Sequence, residues 1–424
     1  MRDLLFHNIR LIDPASSLDQ TGELLVRNGR IADFGRSLGR PDGAGLLDGG
    51  GAILCPGLVD MRAALGEPGF EYRETIASAA EAAASSGITT LAALPDSRPA
   101  VDDPAIVRLL RARGEETGSL TIIPYGAVTR GCRGEEMAEI GLLYEAGAWG
   151  FTDGQHAIGD ARMMRQALSY ARGFGARIVQ HPEDPALAAG GSATEGELAT
   201  RLGLPGIPAA AEAILVARDI RLAQLTGGSL HFAHISTAEA LSLIRAAKAA
   251  GLDVTCDTAP PYFDLNENAI GDFRSYAKLS PPLRPEADRM AVCAALADGT
   301  VDAIASDHQP RDADDKRVPF ALATPGGSGL ATLLGVTLAQ VHGNGLPLIR
   351  ALDLLTACPA RVLGAECGRL QKGGAADLCL FDLERAWQVE AGELPGKAPN
   401  TPFDGRALEG QVLGTWKAGR RVFG

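Results

Sequence analysis

The segment SLHFAHISTAEALSLIRAAKAA, residues 229–250, decides the fold prediction, because a short apolar strand is followed directly by an alanine- and leucine-rich helical stretch. This order is typical of a βα unit on a parallel sheet. We identify eight such strands, and eight repeats favour an α/β fold with a closed (β/α)8 TIM barrel over an open sheet. The predicted strands span residues 58–63, 88–94, 120–128, 149–152, 177–180, 229–233, 253–256 and 301–305.

Both ends of the chain have a different sequence pattern, in which apolar and polar residues alternate over short segments that we predict to be strands. They span residues 3–12, 22–28 and 31–34 near the start and residues 376–381 and 412–416 near the end. Asn28-Gly29 supplies a tight-turn dipeptide between two of them. We therefore expect a small β-sandwich built from both ends, residues 1–54 and 362–424, beside a barrel domain of residues 55–361.

Composition and charge exclude several classes of protein. The net charge of -12 argues against binding of a nucleic-acid backbone, which requires clustered cations. Apolar runs do not reach the ~20 residues of a membrane span, and the first residues do not resemble a signal peptide. Seven cysteines are scattered without a CxxC pair, which suits reduced thiols. We expect a cytoplasmic globular protein with no nucleic-acid or membrane partner.

Four polar residues lie at or just after the ends of predicted barrel strands. Asp153 follows the fourth strand, His181 the fifth, His234 the sixth and Asp307 the eighth. In parallel barrels the ends of the strands open on one mouth, where side chains from different strands converge. Carboxylates and imidazoles are common ligands of transition metals. The four residues therefore form a candidate metal site.

Short motifs also follow one another in a recognisable order. Those after GLVDMRAALGEPG, residues 57–69, are Thr89-Thr90 with Leu94-Pro95-Asp96, Phe151-Thr152-Asp153-Gly154, His181-Pro182-Glu183-Asp184, His231-Phe232-Ala233-His234, Lys278 with Pro281-Pro282-Leu283-Arg284, Ser306-Asp307-His308 and Asn400-Thr401-Pro402-Phe403. This order resembles the dihydroorotase family of the amidohydrolase superfamily, whose first strand reads G-L-[IV]-D-x-H-x-H-x-R-E-P-G. The resemblance covers nearly the whole chain and implies a two-metal hydrolase of a cyclic amide.

The chain departs from the family pattern at the metal ligands. The resemblance implies ligands at Asp153, His181, His234 and Asp307, with Asp307 also the general base, but the two H-x-H positions hold Arg62 and Ala64. Alternation along a strand places both of these on the inward face. The first metal therefore loses two nitrogen ligands. The four remaining residues could still form a mononuclear site with one open position.

The positions that the resemblance assigns to the substrate are changed as well. Gly66 stands where the family has the arginine that binds the substrate carboxylate. Asp96 and Ser280 each replace a family asparagine, and Arg311 replaces a family histidine. Loss of a charge-assisted arginine contact removes about 1.5–3 kcal/mol of binding. A carboxylate at position 96 would also repel an anionic substrate.

Arg62 suggests a replacement for the missing metal. Without a metal, Asp153 and Asp307 would be two carboxylates in a partly dry cavity, which requires a cation or raised pKa values. An inward Arg62 guanidinium would be that cation; the alternative is that Arg62 reaches through the mouth to solvent. His7 and His342 lie outside the motifs, and we expect His231 to be a core residue.

Two functions compete. The chain resembles the non-catalytic dihydroorotase-like chains that assemble with the aspartate transcarbamoylase catalytic chain, which implies a structural partner without a cofactor. The alternative is a zinc amidohydrolase with one zinc per chain, held by Asp153, His181 and His234, acting on a different cyclic amide or weakly on dihydroorotate. A purely structural protein unrelated to pyrimidines has no support beyond the altered site. For the oligomeric state, a homodimer is the default expectation.

Overall fold

The computed structural model describes residues 3–41 and 43–424, and the chain begins with a β-unit. Its five strands are β1 (Leu4–Asp13), β2 (Leu18–Arg27), β3 (Arg30–Gly35), β4 (Gly45–Asp48) and β5 (Ile53–Pro56). Asn28 and Gly29 both have positive φ, at 49° and 78°, as a two-residue hairpin turn requires. The strands β1, β2 and β3 therefore form an antiparallel meander, while β4 and β5 pair in parallel with β1.

Eight parallel strands form the barrel, and two very short strands lie in an excursion between the fifth and sixth of them. In chain order they are β6 (Leu58–Ala63), β7 (Ile88–Ala93), β8 (Thr121–Pro124), β9 (Gly150–Phe151), β10 (Arg177–Gln180), the excursion pair β11 (Ala193–Thr194) and β12 (Gly206–Ile207), β13 (Ser229–Phe232), β14 (Val254–Thr258) and β15 (Ala303–Ile304). Parallel bridges from Gly126 to Phe151 and from Ala63 to His308 join the two strand groups. All eight predicted strands are confirmed, and so is the barrel.

Helices connect the strands, and the longer ones cover the outside of the barrel. They are α1 (Ile76–Ser85), α2 (Pro104–Thr117), α3 (Ile140–Glu145), α4 (Ala161–Arg172), α5 (Pro185–Ala188), α6 (Glu197–Leu202), α7 (Ala210–Thr226), α8 (Ala238–Ala249), α9 (Pro260–Asp264), α10 (Glu286–Asp298), α11 (Ala313–Lys316), α12 (Leu333–Asn344), α13 (Leu348–Leu355) and α14 (Ala357–Val362). The Thr237 side chain caps α8, the helix of the segment that decided the fold. Within the described ranges, the helices lack the combination of length and apolar character that a bilayer crossing requires.

The chain returns to the β-unit through β16 (Leu378–Gln388), β17 (Ala407–Lys417) and β18 (Arg420–Phe423). Hydrogen bonding runs in the order β18-β17-β16-β5-β1-β2-β3, with β4 beside β1, so both chain ends share one sheet. Its core includes Phe6 and Trp416, whose ring centroids are 4.9 Å apart. This confirms the β-sandwich-like unit built from both ends.

The exact domain limits stay a prediction. The limit between residues 54 and 55 falls inside β5, and the limit between residues 361 and 362 falls inside α14. Each predicted limit therefore cuts through a secondary-structure element, and β5 itself pairs within the sheet of the chain ends.

Candidate functional site

The four predicted ligands all lie at the carboxyl ends of barrel strands. Asp153 follows β9, His181 follows β10, His234 follows β13 and Asp307 follows β15. His234 and Asp307 have positive φ, at 40° and 47°, which is uncommon for residues other than glycine. Such conformations concentrate at functional sites because the surrounding structure must hold them in place.

Three of these residues form a buried chain of contacts. His181 Nδ1 lies 2.6 Å from His234 Nε2, and His234 Nδ1 lies 3.2 Å from Asp307 Oδ2. Burial, reinforced by the positive charge of Arg62, lowers the pKa of His234 to about 4. The His234 imidazole is therefore neutral at pH 7. Burial alone would raise the pKa of Asp307, but His234 and Arg62 hold that pKa well below its ordinary value.

Arg62 lies inside the barrel mouth, with only 1% of its side chain exposed. Its Nε donates to Asp307 Oδ1 at 2.9 Å, and its Nη2 donates to the Gly154 carbonyl at 2.9 Å. The Arg62 side chain therefore connects the loops after β9 and β15. The alternative in which Arg62 reaches out to solvent is wrong, because the side chain is buried.

Asp153 does not take part in this ion pair, contrary to the expectation that Arg62 serves both carboxylates. Its Oδ1 accepts from the backbone N–H groups of Val128 and Thr129 at 3.0 and 2.9 Å, and its Oδ2 accepts from Thr129 Oγ1 at 2.5 Å. Three donors from the loop after β8 therefore satisfy this carboxylate. Burial nevertheless raises the pKa of Asp153 above its ordinary value.

The residues at the mouth do not fit a metal ion. Two nitrogen ligands of a tetrahedral zinc lie roughly 3.3 Å apart, from bonds of about 2.0–2.1 Å, whereas His181 Nδ1 and His234 Nε2 are 2.6 Å apart, as in a hydrogen bond. Asp307 already forms an ion pair with Arg62, and the fixed charge of the guanidinium repels a divalent cation. Among the described residues, the one group whose ligand atoms approach a common point is His342, Glu384 and Glu409 on the exposed surface, away from the barrel mouth.

The altered substrate positions lie at two places. Gly66, Asp96 and Arg311 line one cavity of about 280 Å³ beside Ala64. Ser280 lies instead next to His181, where its Oγ donates to Glu183 Oε2 at 3.1 Å. The Arg311 guanidinium donates to the Pro325 carbonyl and to Gln155 Oε1, both at 2.8 Å.

Gly66 shows that an arginine cannot simply be restored at that position. Its φ is +68°, and a Cβ there would lie 2.4 Å from the Glu74 carbonyl oxygen. Only glycine occupies such a conformation and such a close approach without strain. The backbone here is therefore adapted to a residue without a side chain.

Several polar contacts of the mouth were missed by the sequence analysis. Glu183 Oε2 lies 3.7 Å from His181 Nε2, and the fully buried Glu74 lies 3.4 Å from His308 Nε2. Thr129 holds Asp153, although no motif singles it out. The expectation for His231 is confirmed, since it is a fully buried core residue whose Nε2 lies 2.9 Å from Asp257 Oδ2.

The loop of residues 310–325 is held over the mouth by reciprocal lysine contacts. Lys316 Nζ donates to the carbonyls of Ser275 and Lys278 at 3.2 and 3.3 Å, and Lys278 Nζ donates to the Ala321 carbonyl at 2.7 Å. Burial, with the nearby charges of Arg311 and Lys278, lowers the pKa of Lys316 to about 7. The loop is therefore packed, and it contains a cation that is costly to bury.

We expect the stability of the fold to rise with pH above 7 because of Lys316. Its folded-state pKa of about 7 lies below the unfolded value of about 10.4, so the unfolded chain binds more protons between these two values. Each pH unit in this window adds up to about 1.4 kcal/mol to the free energy of unfolding. Urea unfolding at pH 7, 8 and 9 should therefore show a rise in the wild type that Lys316→Met lacks.

A matched control is Lys372→Met, because the Lys372 side chain is 62% exposed. This variant should follow the pH dependence of the wild type. Parallel curves for wild type and Lys316→Met would contradict the prediction.

Comparison with known proteins shows which family the chain is similar to. The family model "Dihydro-orotase-like" matches residues 51–240. Proteins named dihydroorotase from Pelobacter propionicus and Syntrophus aciditrophicus are 43% and 42% identical over 421 residues, covering 99% of each chain. L-Hydantoinase (dihydropyrimidinase) from Arthrobacter aurescens has 25% sequence identity and a TM-score of 0.88, covering 100% of this chain and 96% of the hydantoinase. Dihydropyrimidinase from Brevibacillus agri, at 22% identity, has a TM-score of 0.84 and shares the fold over 99% of this chain and 95% of its own. Identity above 40% along the full length shows that the chain belongs to the dihydroorotase family.

Proposed function

We propose that this chain is a dihydroorotase homologue of pyrimidine biosynthesis that does not open the dihydroorotate ring and serves as a structural partner of aspartate transcarbamoylase. The observation that carries the proposal is the buried ion pair between Arg62 and Asp307. It places a permanent cation where the family pattern has a histidine ligand.

The same ion pair disables the family's general base. Asp307 Oδ1 accepts from Arg62 Nε at 2.9 Å and from Gln309 Nε2 at 2.8 Å, and Oδ2 faces His234. A general base is most effective when its pKa lies near the working pH, and the pKa of Asp307 is held well below the ordinary value. Asp307 is therefore a weak proton acceptor, and both of its carboxylate oxygens already have polar partners.

The partner role is supported by the contrast between an altered mouth and an intact fold. The barrel closes, and the sheet from both chain ends is complete. An intact scaffold can present an interface without a working site, since function resides in sites and not in folds. We therefore propose that the aspartate transcarbamoylase catalytic chain binds to such an interface.

The catalytic half of the proposal predicts neither bound metal nor turnover. Protein purified without chelators should contain no stoichiometric zinc, and dihydroorotate should be consumed no faster than in a reaction without protein. The dihydroorotase from Pelobacter propionicus, prepared in the same way, is the matched positive control. About one zinc per chain would favour the mononuclear hydrolase, and robust ring opening would overturn the proposal.

The partner half is tested separately by co-expression with the aspartate transcarbamoylase of the same organism. We expect the two chains to co-elute in size-exclusion chromatography, and the transcarbamoylase to be less active or less stable alone. A transcarbamoylase that elutes separately and is fully active alone would refute the partnership but would not restore catalysis.

A further inference from the structure

A second cavity lies between the barrel and the sheet that the two chain ends form. Its volume is about 440 Å³, and its walls come from the second half of α1, the start of α12, residues 393–395 and the strands β16, β17 and β18. Among the residues that the structure describes, none lines both this cavity and the one at the barrel mouth. Sites for small molecules have volumes of about 300–1,000 Å³ and lie preferentially where two structural units meet. We refer to this second cavity as the interdomain cavity.

The walls of the interdomain cavity are mainly apolar and are held in place. Trp387 Nε1 donates to the Gly410 carbonyl at 2.9 Å. A Cβ on Gly335 would lie 3.0 Å from Trp387 Cζ2, so the indole ring packs directly against the backbone of α12. Leu334 lines the same cavity and is buried, and Phe423 lines it with 37% of its surface exposed. The cavity therefore offers two aromatic rings to a ligand that enters from solvent, and aromatic ligands pair with such rings by offset or edge-on stacking.

The charged groups of the interdomain cavity are all acidic. Glu81 and Glu393 line it and are exposed, and within the described ranges neither side chain forms an ion pair or a hydrogen bond. The hydroxyls of Ser85 and Ser86 already donate to backbone carbonyl oxygens at 2.8 and 2.7 Å. No lysine, arginine or histidine of the described residues lines the cavity. Two carboxylates without a cation, in a chain of net charge -12, attract a positively charged ligand and repel an anion.

We propose that the interdomain cavity binds a small aromatic amine. The ring of the ligand stacks against Trp387 and Phe423, and its ammonium group lies at the carboxylates of Glu81 and Glu393. An ammonium supplies the N–H donors that carboxylates accept, while the aromatic ring displaces water from the apolar walls. Because the cavity is separate from the barrel mouth, the proposal does not depend on whether the chain opens the dihydroorotate ring.

Isothermal titration calorimetry with tryptamine tests the proposal. The matched control ligand is indole-3-acetate, which has the same ring but a negative charge. The wild type should bind tryptamine at least about 10-fold more tightly than indole-3-acetate, because the carboxylates attract the ammonium and repel the acetate. This preference should shrink as salt is added, since salt screens exposed charges. Ethylamine, a cation without a ring, should bind more weakly than tryptamine because it cannot stack on Trp387 and Phe423.

Two variants separate the charge of the cavity from its shape. Glu81→Gln/Glu393→Gln removes both charges with little change of shape and should abolish the preference for tryptamine over indole-3-acetate. Ala331→Phe places a larger side chain in the cavity and should abolish tryptamine binding. The matched control, Glu145→Gln/Glu239→Gln, changes two exposed acids on α3 and α8 and should bind tryptamine like the wild type. Thermal unfolding verifies that every variant is folded. The proposal is overturned if the wild type does not bind tryptamine, if it binds indole-3-acetate or ethylamine equally well, or if either cavity variant behaves like the wild type.

Discussion

Replacing Arg62 by leucine is expected to lower the free energy of unfolding by about 3–5 kcal/mol, because it removes one partner of a buried ion pair. Asp307, with 10% of its side chain exposed, would keep its charge in a site that water hardly reaches. The Gly154 carbonyl would lose its Arg62 donor as well. Urea unfolding at pH 7 measures the effect, and the midpoint should fall without a change in slope.

The control is an ion pair of the same kind on the surface. Arg245 and Asp298 are 2.7 Å apart, but their side chains are 50% and 43% exposed, so Arg245→Leu should cost no more than about 1 kcal/mol. The double variant Arg62→Leu/Asp307→Leu should lose less than the sum of the two single changes, since no unpaired charge remains. An Arg62→Leu loss equal to that of Arg245→Leu would show that Arg62 does not stabilise the mouth.

The fold was predictable because short, mainly apolar strands alternate with alanine- and leucine-rich helical stretches along the chain. The strand β6 was predicted at its observed bounds, Leu58–Ala63, while β8 was predicted over residues 120–128 and spans Thr121–Pro124. The predicted strand is longer than the observed β8 because composition alone does not show where strand pairing ends. Apolar composition continues into the mouth loop, but the ladder with β7 ends at the pair Ala93 and Pro124, and only an isolated bridge from Gly126 to Phe151 follows on the side of β9.

The positions of the site residues were predictable, but their partners were not. The rule that strand ends meet at one mouth places Asp153, His234 and Asp307 correctly. It does not show that Thr129, 24 residues before Asp153, turns a hydroxyl and an N–H toward that carboxylate. Nor does it show that Arg62 forms its ion pair with Asp307 and not with Asp153. Such choices depend on loop conformations fixed by many distant contacts, which a single sequence does not display.

The loss of two imidazoles can be tested by restoring them. We expect Arg62→His/Ala64→His to bind zinc at least about 100-fold more tightly than the wild type, since even groups that only orient metal ligands contribute about 10–100-fold. The double change removes the fixed charge beside Asp307 and adds two nitrogen donors at the carboxyl end of β6. Ala64 lines the mouth cavity, so there is room for a ring at that position. Competition with a chromophoric chelator gives the affinity, and elemental analysis gives the zinc content.

The matched control for this gain is Arg62→Leu/Ala64→Leu, which removes the same charge and fills the same space without adding donors. If the guanidinium alone excludes the metal, both double variants will bind zinc, since Asp153, His181, His234 and Asp307 are present in each. If the absent imidazoles decide, only the histidine variant will bind it. Because His181 and His234 lie within hydrogen-bond distance of each other and Asp153 is satisfied by the loop after β8, we expect the second result. Zinc binding by neither variant would mean that the backbone of the mouth, and not the two lost ligands, prevents a metal centre.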